Sequence, residues 1–199
     1  MVPIDDFREY CTFGEERVYL LLAIARSKEN EDISASDQPT IREVVESEAE
    51  LERKADQLAH AVSRFDARYR LYLSANARNT TKSFFELRRR MDDWLQMRFN
   101  GDDGVLGKFK RVDSEFKSVL QSDSARDETN FVFDIDDATA AEAERLEATL
   151  RERTTVRLIQ ETPNGYHVVT TPFDYTDLEV DIEYELKTDG MIFVSYLDG

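Results

Sequence analysis

Apolar and polar positions follow a mostly helical spacing in the first part of the chain and mostly alternate in the last third. Between Phe13 and Lys28, apolar residues fall at Val18, Leu21, Leu22 and Ala25, which predicts a helix closing on Arg26 and Lys28. Residues 29–40 are polar and read as a loop. From Ile41 to Phe65 an amphipathic stripe of Leu51, Ala55, Leu58, Val62 and Phe65 predicts a second, longer helix. The period then changes: Tyr69 to Asn76 is β-rich and alternating, and reads as a strand. Phe84, Leu87, Met91, Trp94 and Leu95 predict a third helix from Thr81 to Phe99. Asn100-Gly-Asp-Asp-Gly104 ends it, and a fourth is expected over Val105 to Leu120.

A charged, Ser-rich link (Gln121 to Thr129) leads into a different pattern. Phe131 to Asp136 reads as a strand, Ala138 to Arg153 as a helix, and Val156 to Gln160 as a second strand. Pro163-Asn-Gly165 supplies a turn before a third strand, Tyr166 to Thr170. Val180 to Lys187 alternates and predicts a fourth strand; Thr188-Asp-Gly190 signals another hairpin before a fifth, Met191 to Tyr196. The expected architecture is α+β, with a helical N-terminal half packed on an RRM-like antiparallel sheet carrying one helix. Residues 1–125 form the first region, with one strand near 69–76, residues 126–199 form the second, and together they make one unit.

Composition narrows the chemistry. The longest apolar run, Val18 to Ala25, is eight residues, too short to span a bilayer, and Asp5 and Asp6 do not suit a secretion signal. The expectation is a soluble, intracellular protein without a membrane partner. A single cysteine, Cys11, excludes an internal disulfide framework, and two histidines, His60 and His167, leave no material for a His-based metal site. Any bound metal would take oxygen ligands, which points to Mg²⁺, Mn²⁺ or Ca²⁺. The net charge is −16, from 42 acidic and 26 basic residues, and only seven of the bases are lysine. Acid spread so evenly suits a high-salt cytoplasm, where a dense acidic surface keeps protein in solution. An acidic tail or a nucleic-acid mimic would instead show longer blocks of like charge.

Asp134 and Asp136 stand two apart on the most apolar strand, so both carboxylates leave the same face. Close carboxylates repel, and a cation between them relieves the repulsion. The pair therefore reads either as an anchor for divalent ions or as the coincidence that 21 aspartates make common. His167, at the start of the strand after the Asn-Gly turn, is either a hydrogen-bonded structural residue or a ligand. Glu183, Glu185 and Lys187 share a strand face that is either solvated, or completes a metal site and neutralises a phosphate.

In order and spacing, Asp134-Ile-Asp136, then Thr162-Pro-Asn-Gly-Tyr-His167-Val-Val, then Glu185-Leu-Lys187-Thr-Asp-Gly-Met-Ile-Phe-Val194 resemble the archaeo-eukaryotic primase superfamily, which includes plasmid and viral primase–polymerases. The resemblance covers about residues 130–196. It implies nucleotidyl transfer to a nucleic-acid 3′-hydroxyl with two Mg²⁺ or Mn²⁺ ions held by Asp134, Asp136 and Glu185. His167, Lys187 and Asn164 would contact the incoming nucleoside triphosphate. Glu185 stands where that superfamily usually has Asp.

In the first half, Arg68, Arg70 and Tyr72 share one strand face, with Asn76 and Arg78 at its end. Bases interleaved with an aromatic suit single-stranded or primed nucleic acid, or else mark an edge strand whose arginines pair with surface carboxylates. Arg88-Arg-Arg90 reads as a solvated helix face or a second nucleic-acid contact. Two rival readings stand beside the enzyme: a catalytically inactive nucleotide or nucleic-acid binder on the same fold, and an acidic viral interaction factor that engages a protein such as a replication partner.

Overall fold

The segment expected to open the chain as a helix is a strand, and its burial explains the misreading. The computed structural model describes residues 2–198. A short helix, α1 (Asp5–Tyr10), precedes β1 (Arg17–Ala25), which lies antiparallel between β2 (Thr40–Val45) and β3 (Arg68–Ser74). Leu20, Leu21, Leu22 and Ala23 are all fully buried, because both faces of β1 are covered. A strand buried on both sides has no period of two to display. The long helix expected over 41–65 divides: its first residues form the half-buried β2, and only α2 (Glu48–Val62) is helical. Leu51, Ala55, Leu58 and Val62 seat α2 on one face of this sheet, against Tyr19, Leu21, Leu71 and Leu73.

The strand predicted near 69–76 is β3. A two-residue strand, β4 (Arg78–Asn79), pairs with the start of β1 and runs into α3 (Thr80–Phe99), where the Asn79 side chain caps the helix by accepting from the Lys82 amide. The fourth predicted helix is broken at Lys110 and Arg111 into α4 (Leu106–Phe109) and α5 (Val112–Leu120). Phe116 and Leu120 of α5 cover the second face of the sheet, over Val18, Leu20, Leu22 and Tyr72.

The last third follows its predicted order more closely. β5 (Phe131–Asp136), α6 (Ala140–Arg151), β6 (Val156–Thr162), β7 (Gly165–Thr170) and β8 (Glu185–Lys187) build a four-stranded antiparallel sheet in the order β6-β7-β5-β8. Thr139 and Glu142 form a reciprocal capping box at the start of α6. The helix buries Ala143, Leu146 and Leu150 against Phe131, Phe133, Ile135 and Val168. The strand expected over 180–187 shrinks to β8. Ile182, Tyr184 and Leu186 still pack on this core, so their alternation reports burial rather than pairing.

The larger correction concerns β9 (Met191–Asp198). It is a strand as predicted, but it pairs with β3, giving the first sheet the order β2-β1-β3-β9. Thr188 to Gly190 is therefore a crossover between sheets and not a hairpin turn. The fold is α+β, yet the first half supplies β1 to β4 as well as helices, and the division near residue 126 separates stretches of chain without separating sheets. Val132, Leu158 and Val169, on the sheet face away from α6, join the core of the first sheet. No helix among the described residues is long and apolar enough to cross a membrane.

The crossover is held by residues expected to face nucleic acid. Arg78, 1% exposed, donates from Nη2 and Nη1 to the two Asp189 carboxylate oxygens at 2.8 and 2.9 Å. Asn76, fully buried, donates to the Thr188 carbonyl at 3.1 Å and to Asp189 at 3.0 Å, and accepts from the Asn130 amide at 2.6 Å. Both side chains are spent inside the protein, which removes them from any nucleic-acid surface. Removing one partner of a buried pair strands the other, so Arg78→Met is expected to lower the unfolding free energy by about 3–5 kcal/mol, read from urea denaturation.

Candidate functional site

β5, β7 and β8 carry the site, and their register brings its parts together. Asp134 lies directly opposite His167 on β7 and directly opposite Glu185 on β8, while His167 in turn faces Gln160 on β6. Residues opposed in an antiparallel pair share a face with Cβ atoms about 5 Å apart. Gln160, His167, Asp134 and Glu185 thus form one row across four strands. The same face is apolar one pair further back, where Val132 and Val169 enter the core. The row sits where that face emerges from the core towards the surface.

A cleft of about 420 Å³ opens over the row, lined by Asp134, Asp136, Asp137, Glu183, Tyr184 and Glu185. Its wall is five carboxylates and one phenol. His167 and Lys187 approach Asp134 from its two neighbouring strands: His167 Nε2 is 3.3 Å from Oδ1 and Lys187 Nζ is 2.6 Å from Oδ2. Lys187 also lies 3.0 Å from the Glu185 carboxylate. The His167 hydrogen bond is the strongest influence on the Asp134 carboxyl; with Lys187 it outweighs burial and brings the pKa from 3.8 to about 2. Burial pulls the Lys187 ammonium down, but its hydrogen bonds to Asp134 and Glu185 outweigh that and leave it raised. Nδ1 of His167, a residue only 9% exposed, is buried with no hydrogen-bond partner among the described residues. No three His, Cys, Asp or Glu side chains among the described residues converge into a ready-made metal-binding group.

Local backbone geometry sets the end of β5. Asp137 adopts φ 55, a left-handed conformation that Asp tolerates better than most residues, and its amide donates to the Asn164 carbonyl at 2.6 Å. Gly165 pairs with Asp136, and a Cβ there would lie 2.0 Å from the Ile135 carbonyl oxygen. Only glycine lets the β6–β7 turn approach β5 so closely. Asn164, expected at the nucleotide, thus holds the strand end through its backbone while its side chain is exposed.

No family model, curated protein or solved structure matches the chain.

The structure unites Asp134, Asp136, His167, Glu185 and Lys187, and buries four of the five residues of the second predicted group. Arg70 is 8% exposed, paired with Glu29, and lies 3.5 Å from the Tyr72 hydroxyl; Tyr72 itself is 6% exposed. Arg68 alone of the five is exposed, with its guanidinium 3.8 Å from the centre of the Tyr196 ring. Among the three arginines at 88–90, Arg89 and Arg90 pair with Glu86. Glu183, read in the sequence as sharing a face with Glu185 and Lys187, lines the cleft, while Asp137 and Tyr184 were not singled out as site residues. Asp137 adjoins a motif and was legible as a third acid. Glu183 and Tyr184 reach the cleft through a segment whose path the alternation did not specify.

Two outcomes follow from this geometry. Gly165→Ala forces the turn away from β5 and is expected to destabilise the protein by more than about 1 kcal/mol in urea unfolding. For Asp134 the folded pKa lies below the unfolded one, so its stabilisation is present above pH 3.8 and is lost as pH falls through about 2. The stability gap between wild type and Asp134→Asn should be full near neutrality and close over that interval, measured by denaturation at a series of pH values.

Proposed function

We propose that this protein is a primase–polymerase-like nucleotidyl transferase, which adds a nucleotide from a nucleoside triphosphate to a nucleic-acid 3′-hydroxyl. One observation carries the reading: three motifs far apart in the chain lie in register on adjacent strands, beneath one acidic cleft. A coincidental Asp-x-Asp pair has no reason to meet the histidine and the glutamate of the other two motifs on one row.

The donor set suits a hard divalent cation. Asp134, Asp136 and Glu185 offer carboxylate oxygens, and the Lys187 ammonium already stands as a cation between two of them. Mg²⁺ or Mn²⁺ bound there would supply Lewis-acid stabilisation of the attacking and leaving oxygens of phosphoryl transfer. His167 holds Asp134 ionised and oriented through Nε2, behind the carboxylates that line the cleft. Lys187 brings a positive charge to the cleft edge, where a triphosphate needs one. Arg68, with its guanidinium over the Tyr196 ring, is the member of the predicted basic face that stays at the surface.

A second reading has its own observation. An ammonium lodged between Asp134 and Glu185 also suits a protein that binds nucleotide or nucleic acid without turning it over. One experiment separates the two: incorporation of labelled nucleotides on a primed template, in molar KCl with Mn²⁺ or Mg²⁺. The wild type is expected to extend the primer. The double variant Asp134→Ala, Asp136→Ala, with unchanged circular dichroism, should lose more than about a hundredfold, since losing even an outer partner of a metal ligand costs up to that much. No extension by folded wild type would leave the binding reading in its place.

A further inference from the structure

We propose that Lys187 is a tethered, displaceable cation: it fills the gap between Asp134 and Glu185 until a divalent ion enters, and then swings out into the cleft. The inference rests on the nucleotidyl-transfer reading only for the existence of that metal.

The charge balance at the cleft is the first reason. Among the described residues, the ion pairs there go to Asp134 and Glu185, which leaves Asp136, Asp137 and Glu183 lining the same cleft with no paired cation. One ammonium cannot neutralise five carboxylates. A divalent ion brings twice the charge and outcompetes it at short range, where even molar salt, with a screening length of about 3 Å, screens weakly. The second reason is that Lys187 occupies the space where acids of neighbouring strands would close on a metal, at 2.6 Å from one and 3.0 Å from the other.

The third reason is mechanical. The backbone next to Lys187 is clamped: the Thr188 carbonyl accepts from Asn76 at 3.1 Å and from Arg126 at 2.9 Å, and Asp189 is held by Arg78. The side chain beyond it is 34% exposed, on a flexible four-carbon stem. A fixed root and a free tip let the ammonium leave Asp134 without moving β8. Metal entry and phosphate binding are then coupled, because the ion that displaces Lys187 also frees the charge that a triphosphate meets, and such coupling is reciprocal.

The test uses Mn²⁺ alone, without nucleotide, in molar KCl. Reductive methylation with peptide mass spectrometry reads the reactivity of each of the seven lysines in wild type. On Mn²⁺ saturation, methylation of Lys187 should accelerate severalfold while the other lysines stay unchanged. Calorimetric titration should show Lys187→Gln binding Mn²⁺ on the order of tenfold more tightly than wild type, with Lys187→Arg remaining near the wild-type value. Tight Mn²⁺ binding by wild type with no change in Lys187 reactivity overturns the displacement and leaves the proposed function standing, even if Lys187→Gln gains affinity through charge alone. Folded wild type and Lys187→Gln that both fail to bind Mn²⁺ would overturn displacement and metal-dependent transfer together.

Discussion

The buried pair between Arg78 and Asp189 is the constraint on which the arrangement of the two sheets rests. β8 belongs to one sheet and β9 to the other, so the chain must leave the first and enter the second within Thr188 to Gly190. A turn that short leaves backbone polar groups in the interior, and each needs a partner. Asn76 and Arg126 donate to the Thr188 carbonyl, the Gly190 carbonyl accepts from the Ala75 amide at 2.9 Å, and Arg78 holds the Asp189 carboxylate between them. Asn76 also accepts from the amide of Asn130, just ahead of β5. The same few residues therefore set where β5 begins and where β8 ends, and the site row is the part of the sheet between those two points.

A second polar cluster extends this joint. Glu128 receives Arg17 at 2.7 Å, the Tyr19 hydroxyl at 3.1 Å and Arg157 at 3.6 Å. Burial pushes its carboxyl up, but the arginines and the Ala77 amide outweigh that and keep it low. Arg157 continues to Asn130 and to the Tyr10 carbonyl, so β6 is tied to α1 and to the start of β5. Such networks cost desolvation and gain little net stability over an apolar core. Here they define the relative position of two sheets that share one core.

The site shows the opposite electrostatic condition. Five carboxylates face one cleft, and among the described residues Lys187 and His167 both lie against a single one of them, Asp134. An apolar protein interior would not hold this much like charge; an open cleft at the edge of the core does, because water and ions reach most of it. Asp134 is the most enclosed member of the row's acids, and it is the one with two donors. The concentration of polar chemistry at the point where an apolar sheet face reaches the surface is what separates this row from the solvated acids elsewhere on the chain.

Strand β5, helix α6, the β6–β7 hairpin and the alternation of residues 182–186 were all legible in the sequence, because each signal is local: an apolar strand, a continuous helical run, a Pro-Asn-Gly turn, a period of two. The common face of Asp134 and Asp136 follows from the same period. The sequence did not reveal β1, since a strand covered on both faces loses its alternation and borrows the spacing of a helix, nor the half-buried β2, which runs directly into the amphipathic stripe of α2. Nor did it reveal that β9 leaves its neighbour for the first sheet, that Asn76 and Arg78 are interior braces, or that Lys187 lies between Asp134 and Glu185. Those depend on which segments far apart in sequence meet, and that is settled by the shared core and by the buried partners each polar group finds there.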